Sequence, residues 1–214
     1  MSNLWYTQHI GSKPFESGRY QTMKYSLFLG VAVLTSALAF GQEFKVGAPV
    51  DNFTLTDVSG KQVNYFDLRG DLTLVMFIAT QCPISNAYNE RMNVLYKDYA
   101  AKGVKFVAIN SNSTEPASEV ETHKAKHGFP FAVYKDGNNV VADRFGAQVT
   151  PEVFLIDAAG VIRYHGAIDD SQNPVNIKSQ GLRLALDAAL TRQPIQKAET
   201  KAFGCTIKRA KTTS

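Results

Sequence analysis

The stretch LTLVMFIATQCPISN, Leu72 to Asn86, decides the fold. Its first eight residues are a continuous apolar run rich in β-branched and aromatic side chains, with no alternation. That pattern predicts a strand buried on both faces, as in the middle of a parallel sheet. The run stops at Thr80, and a cysteine, a proline and then apolar residues at helical spacing follow. Ile84, Tyr88, Met92, Leu95 and Tyr99 fall three or four apart, so the spacing predicts a helix from Pro83 to about Lys102, closed by Gly103. Cys82 therefore stands where a buried strand hands over to a helix.

Outward from this junction, strands and helices alternate. Upstream, FTLTDVSGKQVNY reads as two short strands around Ser59-Gly60, and FDLRGD as one helical turn. Downstream, Val104 to Asn110 is a second apolar strand. Glu115 to Gly128 is a helix with Pro116 early and a glycine at its end, FPFAVYKD is a short strand and NNVVADRFG a short helix. EVFLID and VIRYHGAI flank Ala158-Ala159-Gly160 as a hairpin, and a last helix runs from about Val175 to Thr191. A strand–helix–strand unit requires a crossover and parallel pairing, and the late hairpin adds antiparallel strands. The expected architecture is α/β, a mixed central sheet flanked by helices in three layers.

The 214 residues are 44% hydrophobic and 11% aromatic, enough for a core in one ordinary domain. The segment MKYSLFLGVAVLTSALAFGQ (Met23 to Gln42) has a lysine, an apolar stretch of about Leu27 to Phe40 and an Ala37-Leu38-Ala39 arrangement. This is the layout of a secretory signal peptide, and the stretch is short for a bilayer span. Residues 1–41 are therefore expected to be an N-terminal extension and signal peptide. Residues 42–198 form the domain, and 199–214 a tail carrying Cys205. The expected location is secreted, in the periplasm, with no stable membrane anchor. The net charge is +4. Loss of Lys13, Arg19, Lys24 and Glu16 leaves 20 basic and 18 acidic residues, so neither nucleic acid nor another strongly charged partner is favoured. An oxidising compartment permits a disulfide between Cys82 and Cys205, but two cysteines are too few for a disulfide scaffold.

Two features carry a resemblance. Cys82 opens a helix after a core strand, and VTPEVFLID places Pro151 just before another core strand. This resembles the thioredoxin fold, in which a proline, usually cis, faces the active cysteine; the resemblance implies a cis Thr150-Pro151 bond. It covers Phe44 to Lys208. It is nearest to the redoxin branch, the alkyl hydroperoxide reductase and thiol-specific antioxidant group, through the N-terminal hairpin, the added helix at Glu115 to Gly128 and TPEVFLIDAAGVIRYHGAIDD. Within that branch the chain looks most like the peroxiredoxin-like group with a Cys-Pro motif and a C-terminal Gly-Cys-x-Ile-Lys, here Gly204 to Lys208. The departures are specific. Ser85 stands at the second position of a thioredoxin Cys-x-x-Cys. The Pro-x-x-x-Thr-x-x-Cys pattern of true peroxiredoxins would fall on Ile78, Cys82 and Ser85, and none of the three matches. The buried acid and the tryptophan of thioredoxins would fall on Met76 and Gln81.

The chemistry of Cys82 does not depend on the resemblance. A free cysteine, with pKa about 8.5, is mostly protonated at neutral pH, and the N–H groups at a helix start favour the thiolate. Pro83 suits the first helical position. A Ser85 hydroxyl can donate to the sulfur. The alternative is that Cys82 is a small buried residue ending a strand. Cys205 reads either as a resolving thiol on a mobile tail freed by Gly204, or as part of a structural disulfide or an unpaired thiol. His123 and His127, four apart, lack a third ligand, so an exposed helical face is expected rather than a metal site. Asp169-Asp170 reads as a solvated turn. No glycine-rich phosphate loop is present and no cofactor is expected.

The expected catalytic set is Cys82, Cys205, Ser85 and Pro151. The expected activity is thiol-disulfide exchange with thiol- or disulfide-bearing proteins or small thiols and an unidentified reductant. A thiol-dependent peroxidase acting on peroxide, and a non-catalytic module that traps thiol partners, are the alternatives.

Overall fold

The strand with no polar face takes the middle of the sheet. In the computed structural model, which describes residues 44–211, β3 (Leu72–Phe77) is buried at every position. It pairs in parallel with β4 (Val104–Asn110) along its whole length, and antiparallel on its other side with β7 (Glu152–Asp157). β5 (Val133–Lys135) extends the parallel set beyond β4. Its outer neighbour is β1 (Thr54–Thr56), which forms the N-terminal hairpin with β2 (Gln62–Asn64). β8 (Ile162–Gly166) closes the far edge against β7, so the seven strands run β2-β1-β5-β4-β3-β7-β8.

Alternate side chains of the sheet feed two cores. Leu74, Met76, Ala108, Val153 and Leu155 face α3 (Asn89–Tyr99), α4 (Ala117–His127) and α6 (Gly181–Leu190), meeting Met92, Leu95, Val120, Leu182 and Leu186. Val75, Phe77, Val107, Ile109 and Phe154 face the other way, toward α1 (Tyr65–Leu68), α5 (Val140–Phe145) and the lead-in residue Phe44. The helices lie on both faces because every central strand must bury both of its own. The fold is thioredoxin-like, with the expected hairpin and inserted helix α4. The segment read as a signal peptide lies outside the described residues.

Two helices differ from their sequence patterns. The expected helix from Pro83 divides into α2 (Pro83–Asn86), α3 and a short 3-10 turn over Ala100–Lys102. The division falls at Tyr88, whose N–H bonds the Ser85 carbonyl three residues back and tightens the turn. The tightened turn accompanies burial of the Tyr88 ring, with its hydroxyl donating to Asp169 at 2.8 Å. The last helix begins at Gly181 rather than Val175. The Arg91 guanidinium draws in the Asp169 carboxylate and the carbonyls of Ser171 and Gln172, and Asp170 accepts from the Lys178 N–H. These bonds fold residues 169–178 into a loop and leave Val175 exposed in a 3-10 turn. Asp169 is thus buried and ion-paired, correcting the reading of a solvated turn.

Leu155 sits fully buried on β7 at the centre of the first core. Leu155→Ala is expected to lower unfolding stability by about 2–5 kcal/mol, read from denaturant midpoints at unchanged slope.

Candidate active site

After β3 the chain turns out of the sheet through Ala79 to Gln81 and places Cys82 as the cap residue of α2, with extended backbone angles. Pro83 takes the first helical position, where no N–H is needed. The Ser85 N–H then points back at the Cys82 sulfur, donating to Sγ at 3.2 Å. The Ser85 hydroxyl serves the turn instead. Fully buried, it accepts from the Ala79 N–H at 3.1 Å and pins the backbone below the cysteine. The expected hydroxyl donation to the sulfur is therefore replaced by a backbone donor. With only four residues, α2 supplies little dipole of its own, and the N–H directed at Sγ is that of Ser85.

A carboxylate outside the expected set holds the same turn from the other side. Glu115, 2% exposed, accepts from the N–H groups of Thr80 at 2.8 Å and Gln81 at 3.1 Å. It also accepts from the side-chain amides of Asn110 at 2.5 Å and Asn112 at 2.9 Å. Burial alone would raise its pKa. The bonds from Thr80 N–H, the Asn110 amide and Gln81 N–H outweigh burial and leave it lowered. Glu119, one helical turn on, takes the Thr80 hydroxyl and the Gln81 amide. A positional signal for Glu115 did exist: β3 and β4 are parallel neighbours, so residues just after both strands gather at one edge of the sheet, where α/β proteins build their sites.

The third wall is the proline loop. The Thr150-Pro151 bond is cis, as the resemblance implied. The Thr150 carbonyl oxygen lies 3.5 Å from Cys82 Sγ. Glu152 secures the loop by accepting from the N–H groups of Gln148 at 2.8 Å and Val149 at 3.1 Å, while its other oxygen contacts His165 Nε2 at 2.6 Å.

Against this loop lies the tail. β6 (Val149–Thr150) pairs antiparallel with β9 (Cys205–Thr206), with Cys205 directly opposite Thr150. The Ile207 N–H continues the ladder to the Gln148 carbonyl at 2.9 Å. Cys82 and Cys205 form a disulfide with Cα atoms 5.8 Å apart, inside the range that a disulfide spans without backbone movement. Gly204 is required here for close approach: a Cβ on it would run into the Thr150 carbonyl.

Contacts on either side of Cys205 dock the tail on the domain. Ala198 and Thr200 bond the backbone of His165. Ile207 is buried in the second core. The Lys208 N–H donates to Asn112 Oδ1 at 2.7 Å, the Lys208 carbonyl accepts from the Ser113 N–H, and Arg209 pairs with Asp143 at 2.8 Å. Asn112 thus joins Glu115 to the tail, so one buried carboxylate is linked to the segments bearing both cysteines.

The structure brings Cys82, Ser85, Pro151 and Cys205 together at one end of the sheet. His123 and His127 are not on an open face: they pack against each other and Phe129, and His123 meets Asn89 at 3.2 Å. Burial first, then the neighbouring His127, lowers the pKa of His123. Among the described residues no cluster of three or more His, Cys, Asp or Glu is arranged to hold a metal ion, and no helix is long and apolar enough to cross a membrane.

Residues 46–165, more than half of the chain and including Cys82 and Pro151, match the AhpC/TSA family. The chain belongs to the AhpC/TSA family. A curated relative, the thiol-disulfide oxidoreductase ResA of Bacillus thuringiensis, is 28% identical over 134 residues, covering 63% of this chain and 76% of its own. Two solved structures are also similar. An uncharacterized conserved protein of Geobacillus kaustophilus superposes with TM-score 0.73 at 32% identity, over 80% of this chain and 95% of its own. A hypothetical protein of Sinorhizobium meliloti 1021 does so with TM-score 0.72 at 31% identity, over 79% and 97%. The AhpC/TSA match ends before Cys205, so the tail strand lies beyond it.

Glu115 gives a pH prediction with a definite sign. Its folded pKa lies below the ordinary value of 4.5, so its contribution is present above that value and lost as pH falls through the lower, folded one. Glu115→Gln places an amide donor against N–H donors and is expected to cost about 1–3 kcal/mol at neutral pH. Its stability should also fall less steeply than wild type below pH 4.5, as read from urea midpoints across the acid range. Gly204→Ala is expected to slow disulfide closure, measured as the rate of free-thiol loss during air or glutathione oxidation, because the added methyl pushes β9 off β6.

Proposed function

We propose that the protein is an exported thiol-disulfide oxidoreductase of the redoxin type whose working pair is Cys82 and Cys205. The observation that carries this reading is the seating of both sulfurs beside the cis-proline loop, 123 residues apart in sequence yet bonded. The AhpC/TSA membership and the ResA relative support the same chemistry. The layout of Met23 to Gly41 supports export, where disulfides persist.

In the reduced protein, the Ser85 N–H favours the Cys82 thiolate over the thiol. The thiolate attacks one sulfur of a partner disulfide, and the partner's other sulfur leaves as a thiolate. Cys205, deprotonated in turn, attacks Cys82 Sγ in the mixed disulfide. The partner's second sulfur departs, and the protein is left with its own disulfide. Two electrons pass to the partner, and its two thiolates take up protons from solvent. Pro151 bounds the groove with a residue that has no N–H to bond the sulfur. The substrates are proteins or small molecules bearing disulfides, with a separate thiol reductant restoring the pair. Ser85 speaks against peroxide as the substrate. It stands where the resemblance would require the peroxidatic sulfur, and its hydroxyl is committed to Ala79.

The test compares intact protein with Cys82→Ser and Cys205→Ser, each reduced and then mixed with a model disulfide or with hydrogen peroxide. Exchange should vanish in Cys82→Ser. A mixed disulfide on Cys82 should accumulate in Cys205→Ser, and peroxide should react more slowly than the disulfide. Exchange retained by Cys82→Ser, or a peroxide reaction faster than exchange, overturns the reading.

A further inference from the structure

We infer that the cleft between the tail and the loop after β8 is a specificity pocket, and that it selects small disulfides of an acidic peptide thiol, one bearing two carboxylates and one ammonium group. The inference rests on the exchange reading above and names the substrate class of that site.

The cleft has a volume of about 360 Å³, at the small end of the range for small-molecule sites. Its floor is apolar and aromatic, made by the Tyr164 ring, Ala167 and the partly buried Phe203. Its rim is charged, with Asp170 on the loop and Lys197 and Lys201 on the tail, all three exposed. α6 begins at the cleft with Gly181, so the positive end of its dipole adds to the potential of the lysines.

The charges of the rim are open. Among the described residues neither Lys197 nor Lys201 has an ion pair or a hydrogen bond. Asp170 accepts from the Lys178 backbone N–H and forms no ion pair among the described residues. Asp169, buried beside them, is already neutralised by Arg91 at 2.7 Å. The open groups are two cations and one anion. A peptide thiol with two carboxylates and one ammonium matches them in sign, number and net charge. A second cleft of the same volume, between α3 and α6, offers no such match. Its guanidinium groups are taken, Arg91 by Asp169 and Arg183 by Asp98, and no tail residue lines it.

The cleft ends beside the redox pair. Phe203 precedes Cys205 by two residues, so their Cα atoms lie no more than about 8 Å apart. The Phe203 ring meets Tyr88 edge-on at 6.3 Å, and the Tyr88 N–H bonds the Ser85 carbonyl in the turn that carries Cys82. A peptide of two or three residues spans roughly 7–11 Å, long enough to seat its charged ends in the cleft with its sulfur toward the pair. The rim is fixed before any ligand arrives. The Thr200 N–H donates to the His165 carbonyl at 3.0 Å, and the Thr200 hydroxyl meets that of Tyr164 at 2.7 Å. The two lysines flank this anchored residue, which lowers the ordering cost of binding.

The test uses the reduced intact protein. It is reacted at low salt with glutathione disulfide, which carries these groups, and with the uncharged hydroxyethyl disulfide, and the two second-order rate constants are compared. The Lys197→Gln/Lys201→Gln variant should lower the glutathione-to-hydroxyethyl rate ratio about tenfold, the worth of two partly exposed charge pairs. High salt should shrink that difference. The Lys197→Glu/Lys201→Glu variant should instead favour cystamine, whose ends are ammonium groups. A ratio unchanged in both variants, or an equal loss with every disulfide, overturns the pocket while leaving the exchange reading intact. Intact protein that exchanges with none of the three disulfides overturns both.

Discussion

The pairing of Cys205 with Thr150 is the constraint on which the site depends. Two strand residues, one further backbone bond at Ile207 and a glycine that permits close approach fix the register. A slip of one residue would turn the cysteine to the other face of the strand. The crosslink closes a loop of more than a hundred residues, which in the chain-entropy account stabilises the fold by roughly 5 kcal/mol. The contacts of Ile207, Lys208 and Arg209 attach the tail to the domain in addition to the crosslink.

The two cysteines are not equivalent in this arrangement. Cys82 is built into the domain through the Ala79–Ser85 turn, which Glu115 clamps by accepting from the N–H groups of Thr80 and Gln81. Cys205 is borne on a strand laid across it. A thioredoxin-type pair lies within one helical turn. Here the second sulfur comes from the far end of the chain, and Ser85 has become a structural peg.

Much of the fold was legible because it follows from local periodicity. The unbroken apolar run of β3 implied a two-sided strand, Val104 to Asn110 was found at its full length, and Gly103, Gly128 and Gly146 ended the elements before them. The cis Thr150-Pro151 bond came through the resemblance, and a Cys82–Cys205 disulfide was only permitted by the cysteine count in an oxidising compartment, neither by periodicity. What stayed hidden depends on partners distant in sequence. Glu115 looks like an ordinary first-turn acid until its donors at Thr80 and Gln81 arrive from the turn after β3. Asp169 looks solvated until Arg91 and Tyr88 reach it from α3 and the turn before it. β9 has two residues, too few for any alternation to show.

The central claim is that the Cys82–Cys205 disulfide is a working redox couple and not a fixed crosslink. It is tested most directly by equilibrating the intact protein in graded dithiothreitol buffers, alkylating, and counting modified thiols by mass. The account predicts that both cysteines are released together in a single two-electron transition, with a midpoint above about −300 mV. A midpoint below that range, where structural disulfides of secreted proteins lie, would contradict it, as would two thiols that are alkylated before any reductant is added.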